Sequence, residues 1–154
     1  MEKTIKIIFT FMLVIILVGC KSEKLVSKCS STSNQTTNGY IIKSDYDIYA
    51  DKDVVNKVVT TETITSNNNT ILAYFEKQLK NQYKSYNKTY SGYSYKITNE
   101  KGKVVCEVTI DYTKLDMKKF IKDNPAMKTY VNKNNKLTVK GLKNMYKSTG
   151  ASCQ

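Results

Sequence analysis

The sequence predicts an α+β domain: a four-stranded antiparallel sheet with one long helix and shorter C-terminal helices packed on one face. Three observations predict it. Apolar and polar residues alternate from Val104 to Tyr112, β-branched and aromatic runs flank the turn residues Ala50-Asp51-Lys52-Asp53, and apolar residues recur at steps of three and four from Leu72 to Tyr86. The implied order is strand, strand, helix, strand, strand, short helix, helix, which buries one sheet face under the helices.

The chain opens with Lys3 and Lys6 ahead of an apolar stretch from Ile7 to Val18 broken only by Thr10. That is the layout of a signal peptide. As a helix the stretch reaches roughly 18 Å, well short of the ~30 Å hydrocarbon core, so a retained transmembrane anchor is the weaker reading. It runs into Leu17-Val18-Gly19-Cys20, which is similar to the lipobox of bacterial lipoproteins. The similarity implies cleavage behind Gly19 and lipidation of Cys20 through a diacylglyceryl thioether. A small Gly leaves room for the peptidase, and only a thiol forms the thioether. Two acyl chains, at about 0.8 kcal/mol per buried methylene, anchor durably where one is marginal. The expected organisation is a signal peptide over 1–19, a lipidated Cys20 with a polar tether over 20–38, and a single α+β domain over 39–154.

Lys21 to Asn38 is rich in Ser, Thr and Asn and lacks hydrophobic periodicity, which reads as the tether. A free coil of that length spans about 25 Å root-mean-square, enough to lift a domain off the headgroups. From Gly39, the residues Tyr40, Ile42, Tyr46 and Ile48 lead into the Asp51 turn, and Val54 to Thr65 lead out of it as a second strand. Asn67-Asn68-Asn69 offers N-cap side chains to a helix about eighteen residues long, striped by Leu72, Phe75, Leu79, Tyr83 and Tyr86.

Gly92 ends that region, and Tyr93, Tyr95 and Ile97 alternate with polar residues up to the turn at Asn99-Glu100-Lys101-Gly102. In the next strand Val104, Cys106, Val108, Ile110 and Tyr112 take a covered face, while Glu107, Thr109 and Asp111 take a wet one. Asp116 is placed as an N-cap, with Leu115 and Phe120 as its hydrophobic staple and Pro125 closing the turn. Thr138 repeats the device with Leu137 and Leu142, Met145 and Tyr146 extend the stripe, and Gly150 suits a left-handed residue past the end.

The formal net charge is +12, and all 25 basic residues are Lys, with no Arg, His or Trp. Lys spread over a solvated surface is the plain reading. Attraction to anionic lipid or wall polymer beside the anchor, at about 1 kcal/mol per Lys, is the functional one. Nucleic acid is disfavoured as a partner, because Arg, the bidentate reader of guanine and phosphate, is absent and the compartment is wrong. Without His there is no imidazole base, no triad of the usual kind and no His metal ligand. The six Gly never fall in phosphate-cradling spacing. Asp45, Asp47, Asp51 and Asp53 depart from calcium-loop spacing and lack its Gly and terminal Glu, so solvated strand and turn positions account for them better than a metal site. The chain is read as a non-enzyme, with no catalytic residue, cofactor or metal.

Twelve Tyr are unusual, and several lie close together in sequence. Tyr86, Tyr90, Tyr93 and Tyr95 form the candidate binding surface, since amphipathic rings suit carbohydrate and protein surfaces. Core and core-edge packing is the competing account for those on the apolar stripe.

Together these features resemble the YehR-like family of bacterial lipoproteins, from about Tyr40 to Gly150. The resemblance rests on the lipobox, the hairpin around Asp51-Lys52-Asp53, the Tyr-rich helix, the strand Val108 to Tyr112 followed by Leu115-Asp116, and the closing Leu137-Thr138 helix with Gly150. It implies the fold and an anchored location on the extracytoplasmic face of the cell membrane; the family's function is not established. The expected function is a non-catalytic binding or interaction module of the cell envelope, meeting an envelope protein, anionic lipid or wall polymer. The alternative is a solute-binding receptor or an accessory subunit of an envelope transporter or enzyme. A deep closed cleft would favour the alternative, and a shallow exposed patch the first reading.

Three cysteines remain once Cys20 is lipidated, and thiols outside the membrane are free to oxidise. Cys106 falls mid-strand on the apolar face and reads as a small buried hydrophobe. Cys29 and Cys153 lie in polar segments at opposite ends of the domain, and termini often come close together. A Cys29 to Cys153 disulfide is therefore expected, against the alternative of two free thiols on mobile ends.

Overall fold

The computed structural model describes residues 23–154 of the chain. The signal-peptide segment and Cys20 lie outside the described residues. Six strands form one antiparallel sheet: β1 (Lys24–Gln35), β2 (Tyr40–Asp51), β3 (Val54–Thr65), β4 (Tyr93–Glu100), β5 (Lys103–Asp111) and β6 (Ser152–Cys153). Their spatial order is β4-β5-β3-β2-β1-β6. The helices are α1 (Asn69–Thr89), α2 (Met117–Asp123) and α3 (Val139–Ser148), with a 3-10 turn over Pro125–Tyr130. The α+β class and the long helix are as the sequence predicts, but the sheet has six strands where the sequence suggests four.

The first added strand overturns the tether. Lys24–Gln35 is not a free coil; it pairs with β2 from Lys24↔Ala50 to Gln35↔Tyr40. Its inward residues Ser27, Cys29, Ser31 and Ser33 are small and mostly polar, so β1 shows no hydrophobic alternation. The other addition, β6, is two residues long and sits on the outer edge of β1 through Cys29↔Cys153 and Ser30↔Ser152. Backbone bonds between Lys28 and Gln154, and the Ser27 hydroxyl donating to the Gln154 carbonyl, extend that edge pairing.

All three helices lie on one face of the sheet, in two hydrophobic clusters. Under α1, Leu72 and Leu79 pack on Ile64, Val104, Cys106 and Val108. Under the C-terminal elements, Met117, Phe120, Leu137 and Leu142 pack on Cys29, Ile48, Val55 and Val58. Except at Val55, which a register shift against Tyr49 and Ala50 sets one residue off, the sheet residues in both clusters share one parity along their strands, which is the pleat placing every second side chain inward.

The helix starts are set by capping side chains. Asn68 accepts from the Thr70 amide at 2.9 Å, Asp116 accepts from the amides of Lys118 and Lys119 at 3.0 and 3.1 Å, and Thr138 accepts from the Gly141 amide at 2.9 Å. Each staple closes behind its cap: Leu115, Phe120, Leu137 and Leu142 are all buried. Gly92, at φ +91°, turns the chain from α1 into β4, and a Cβ there would run into the Asp111 carbonyl oxygen. Among the described residues no helix is long and apolar enough to cross a membrane.

Candidate functional site

Tyr86, Tyr90 and Tyr93 are brought into one aromatic cluster where the C-terminal end of α1 meets β4. Ring centroids are 6.3 Å apart for Tyr86 and Tyr90, 5.7 Å for Tyr86 and Tyr93, and 5.8 Å for Tyr90 and Tyr93. Tyr83, which lies on the same stripe of α1, joins Tyr86 and Tyr95, each at 6.2 Å. The four candidate residues thus form one continuous ridge with Tyr83 as its link, but they do not play one role.

Tyr90 is a core residue. It is buried, meets Phe120 edge-on at 5.3 Å, and donates its hydroxyl to the Asp123 carboxylate at 3.0 Å. Lys119 stands 4.5 Å over the ring and also bonds Asp123 at 2.9 Å. The Lys119 ammonium, then the Tyr90 hydroxyl, hold the Asp123 carboxyl below its usual range. Tyr90 therefore fastens α1 to α2 and is not a contact surface. Tyr93 and Tyr95 are half-buried, and Tyr86 is 40 % exposed, so the outer part of the ridge centres on Tyr86.

A second feature adjoins the ridge between the two core clusters. Cross-strand register on the helix side runs Ile97, Cys106, Glu62, Ser44, Ser31 in one row, and Tyr95, Val108, Thr60, Tyr46, Cys29 in the next. Glu62 is thus a carboxylate on the covered face, opposite buried Cys106 and partly open to solvent beside Ser44 and Ser31. It belongs to none of the ion pairs among the described residues. Tyr46 stacks on Tyr146 of α3 at 4.0 Å. The row from Glu62 through Ser44 to Ser31 is thus a polar seam on the covered face, with the Tyr46–Tyr146 stack beside it.

Burial sets the electrostatics here. It pushes the Glu62 carboxyl above its ordinary value. Burial first, and the Glu62 charge second, drive the Tyr83 hydroxyl far above its ordinary value and the Cys106 thiol up to about 11. Tyr93 is pushed up to about 12, again mainly by burial. At neutral pH these tyrosines and the thiol are uncharged.

The folded chain therefore holds the Glu62 proton more tightly than the unfolded one. Its charge therefore costs stability as pH rises through the window between the ordinary carboxylate value and the raised one. Glu62→Gln is expected to raise the melting temperature near about pH 7 and to change it little near about pH 4, where both states are protonated. Melts at the two pH values check this, and equal shifts at both would refute the ionisation account.

Glu62, Tyr46, Tyr83 and Tyr146 were not in the sequence-derived site. The available signal is parity: in the run from Val58 to Ile64, Glu62 falls on the same alternation as both apolar ends.

The acidic residues near the β2–β3 turn spread out rather than converge. Lys43 pairs with Asp45 at 2.8 Å and Lys28 with Asp47 at 3.1 Å on the helix-free face, while Asp51 and Asp53 are exposed in the turn. Among the described residues no group of His, Cys, Asp or Glu is arranged to hold a metal ion. Three open depressions of about 410, 430 and 400 Å³ lie elsewhere: at Asn56 and Tyr112, at Lys28 and Asp47, and at Tyr40 and Asn68. Cys29 and Cys153 are joined, with sulfurs 2.04 Å and Cα atoms 4.0 Å apart, and Cys106 is free and buried.

No family model and no curated protein matches the chain. Among solved structures, the NMR structure of the YehR protein of E. coli superposes with a TM-score of 0.54 at 21% identity, over 86% of this chain and 92% of that one. The fold is that of YehR. An NMR structure of a protein from Streptococcus pneumoniae TIGR4 aligns over 100% of this chain and 99% of its own at 13% identity, with a TM-score of 0.46. At that identity the YehR likeness is one of fold. The Tyr86 ridge and the Glu62 seam are features of this chain's own side chains on that fold.

Proposed function

We propose that the mature chain is a non-catalytic binding module of the cell envelope, anchored through a lipid on Cys20 and meeting its partner through the Tyr86 ridge and the adjoining seam. The observation that carries this reading is the ridge itself: Tyr83, Tyr86, Tyr93 and Tyr95 in a chain of ring contacts with centroids 5.7 to 6.2 Å apart, with Tyr86 open to solvent. Such rings offer apolar area and a neutral hydroxyl together at small entropic cost, which suits a sugar polymer or a protein surface. None of these three depressions is a closed cavity, which favours a surface contact over a receptor that encloses a solute. The Cys29–Cys153 bond suits an oxidising, extracytoplasmic compartment.

Two variants test the reading in cells. Cys20→Ser is expected to accumulate uncleaved precursor and to lose incorporation of radioactive fatty acid; a labelled, processed variant would remove the anchor from the account. Tyr86→Ser, at an exposed position, is expected to keep the fold and the label but lose the envelope polymer or protein captured by the lipidated wild type. Equal capture by both would move the contact surface elsewhere.

A further inference from the structure

Strand β1 begins at Lys24, four positions after Cys20. Fully extended, that link reaches about 14 Å. A lipid on Cys20 therefore holds the Lys24 end of the sheet at headgroup level, while the opposite end of these 12-residue strands lies roughly 35 Å further along.

Two exposed apolar side chains sit at that end, Leu25 at 44 % and Val26 at 42 % exposure. They occupy a bulge, where β1 slips register against β2 between Leu25 and Ser27. Leu25 is opposite Tyr49, and the Tyr49 ring lies 4.4 Å beneath the Lys57 ammonium, which is itself bonded to Glu23. Glu23 is thus tied down on the same face, beside Leu25. Lys24 and Lys52 flank the tip, exposed and in no ion pair among the described residues. Asp51 and Asp53 share the turn with Lys52, so the tip is apolar and aromatic with a Lys fringe, not a basic patch. Aliphatic side chains beside a Tyr ring and snorkelling Lys match the layered polarity of a membrane interface.

We propose that Leu25 and Val26, with Tyr49 behind them, dip into the surface of the membrane that carries the Cys20 acyl chains, so that the domain stands on the bilayer by its β1–β2–β3 tip. The inference rests on the lipid-anchor reading. Its consequence is orientation: the Tyr40 end of the sheet points away from the membrane, and the Tyr86 ridge faces sideways along it.

The chain has no Trp, so a single introduced indole reports its own position. Full-length L25W and Y74W precursors are processed in cells, purified and reconstituted in phosphatidylglycerol–phosphatidylcholine vesicles with brominated acyl chains. Tyr74, exposed near the start of α1, is the reference for the far end. Blue-shifted, strongly quenched emission from L25W, with neither effect in Y74W, supports the docking; V26W provides the same readout should L25W fold poorly. Equal quenching of both positions, or none, on protein whose Cys20 acylation is verified by mass, overturns the docking while leaving the anchor intact. A blue shift of L25W without bromine quenching assigns the tip to a protein neighbour and also overturns it. Cys20 found unacylated removes the anchor and the docking together.

Discussion

Loss of the Cys29–Cys153 bond is expected to lower the unfolding free energy by about 4 to 5 kcal/mol, the chain-entropy value for a loop closed over a sequence separation of 124. At this size that corresponds to a fall of roughly 10 to 20 °C in melting temperature. The bond joins the second inward position of β1 to the last strand, and β6 has only two ladder pairs of its own. Without the cross-link, β6 must find the edge of β1 unaided at a full loop-closure cost. Thermal melts of the Cys29→Ser, Cys153→Ser double variant against the oxidised wild type measure the effect. A difference under about 3 °C would show that the unfolded chain gains little freedom when the loop opens.

Leu142→Ala is expected to cost about 3 to 5 kcal/mol, as for other fully buried leucines that leave a cavity. Leu142 is 0 % exposed and sits beside Leu137 at 1 %, in the cluster that also holds Ile48 and Val58. The helix it belongs to spans ten residues, too short to persist without packing. Gly141 next to it allows α3 to pass close to the Tyr130 carbonyl, so the helix has no slack with which to collapse into the void. Urea unfolding gives the change directly. The Cys153 sulfur approaches the Lys143 carbonyl, so combining this substitution with loss of the disulfide should give less than the sum of the two effects.

Elements that announce themselves by period or by cap were legible in the sequence. Strand β5 carries inward apolar residues at every second position from Val104 to Ile110, the β2–β3 strands show apolar and aromatic residues on both sides of their turn, and Asn68, Asp116 and Thr138 mark helix starts with side chains that only a cap uses well. β1 was not legible, because Ser27, Ser31 and Ser33 place hydroxyls where a strand usually shows its core, and its pairing is specified by β2 rather than by its own sequence. β6 depends on two distant residues, which no local pattern encodes. The tyrosine ridge was half legible: α1 periodicity placed Tyr83 and Tyr86 together, but only the tertiary contact with Phe120 and Asp123 shows that Tyr90 is a fastener. Glu62 needed the register of β3 against both neighbours before its isolation on the covered face became visible.

The same cross-link changes what a protease can accomplish. Residues between Cys29 and Cys153 form a covalent ring, so a single cut within it, for instance in the exposed bend at Lys133 and Asn134, opens the ring but separates nothing. Both pieces stay joined through sulfur, and the six-stranded sheet still holds them side by side. Shedding material takes a cut outside the ring or a second cut within it, which turns the edge of the sheet into a retaining clasp.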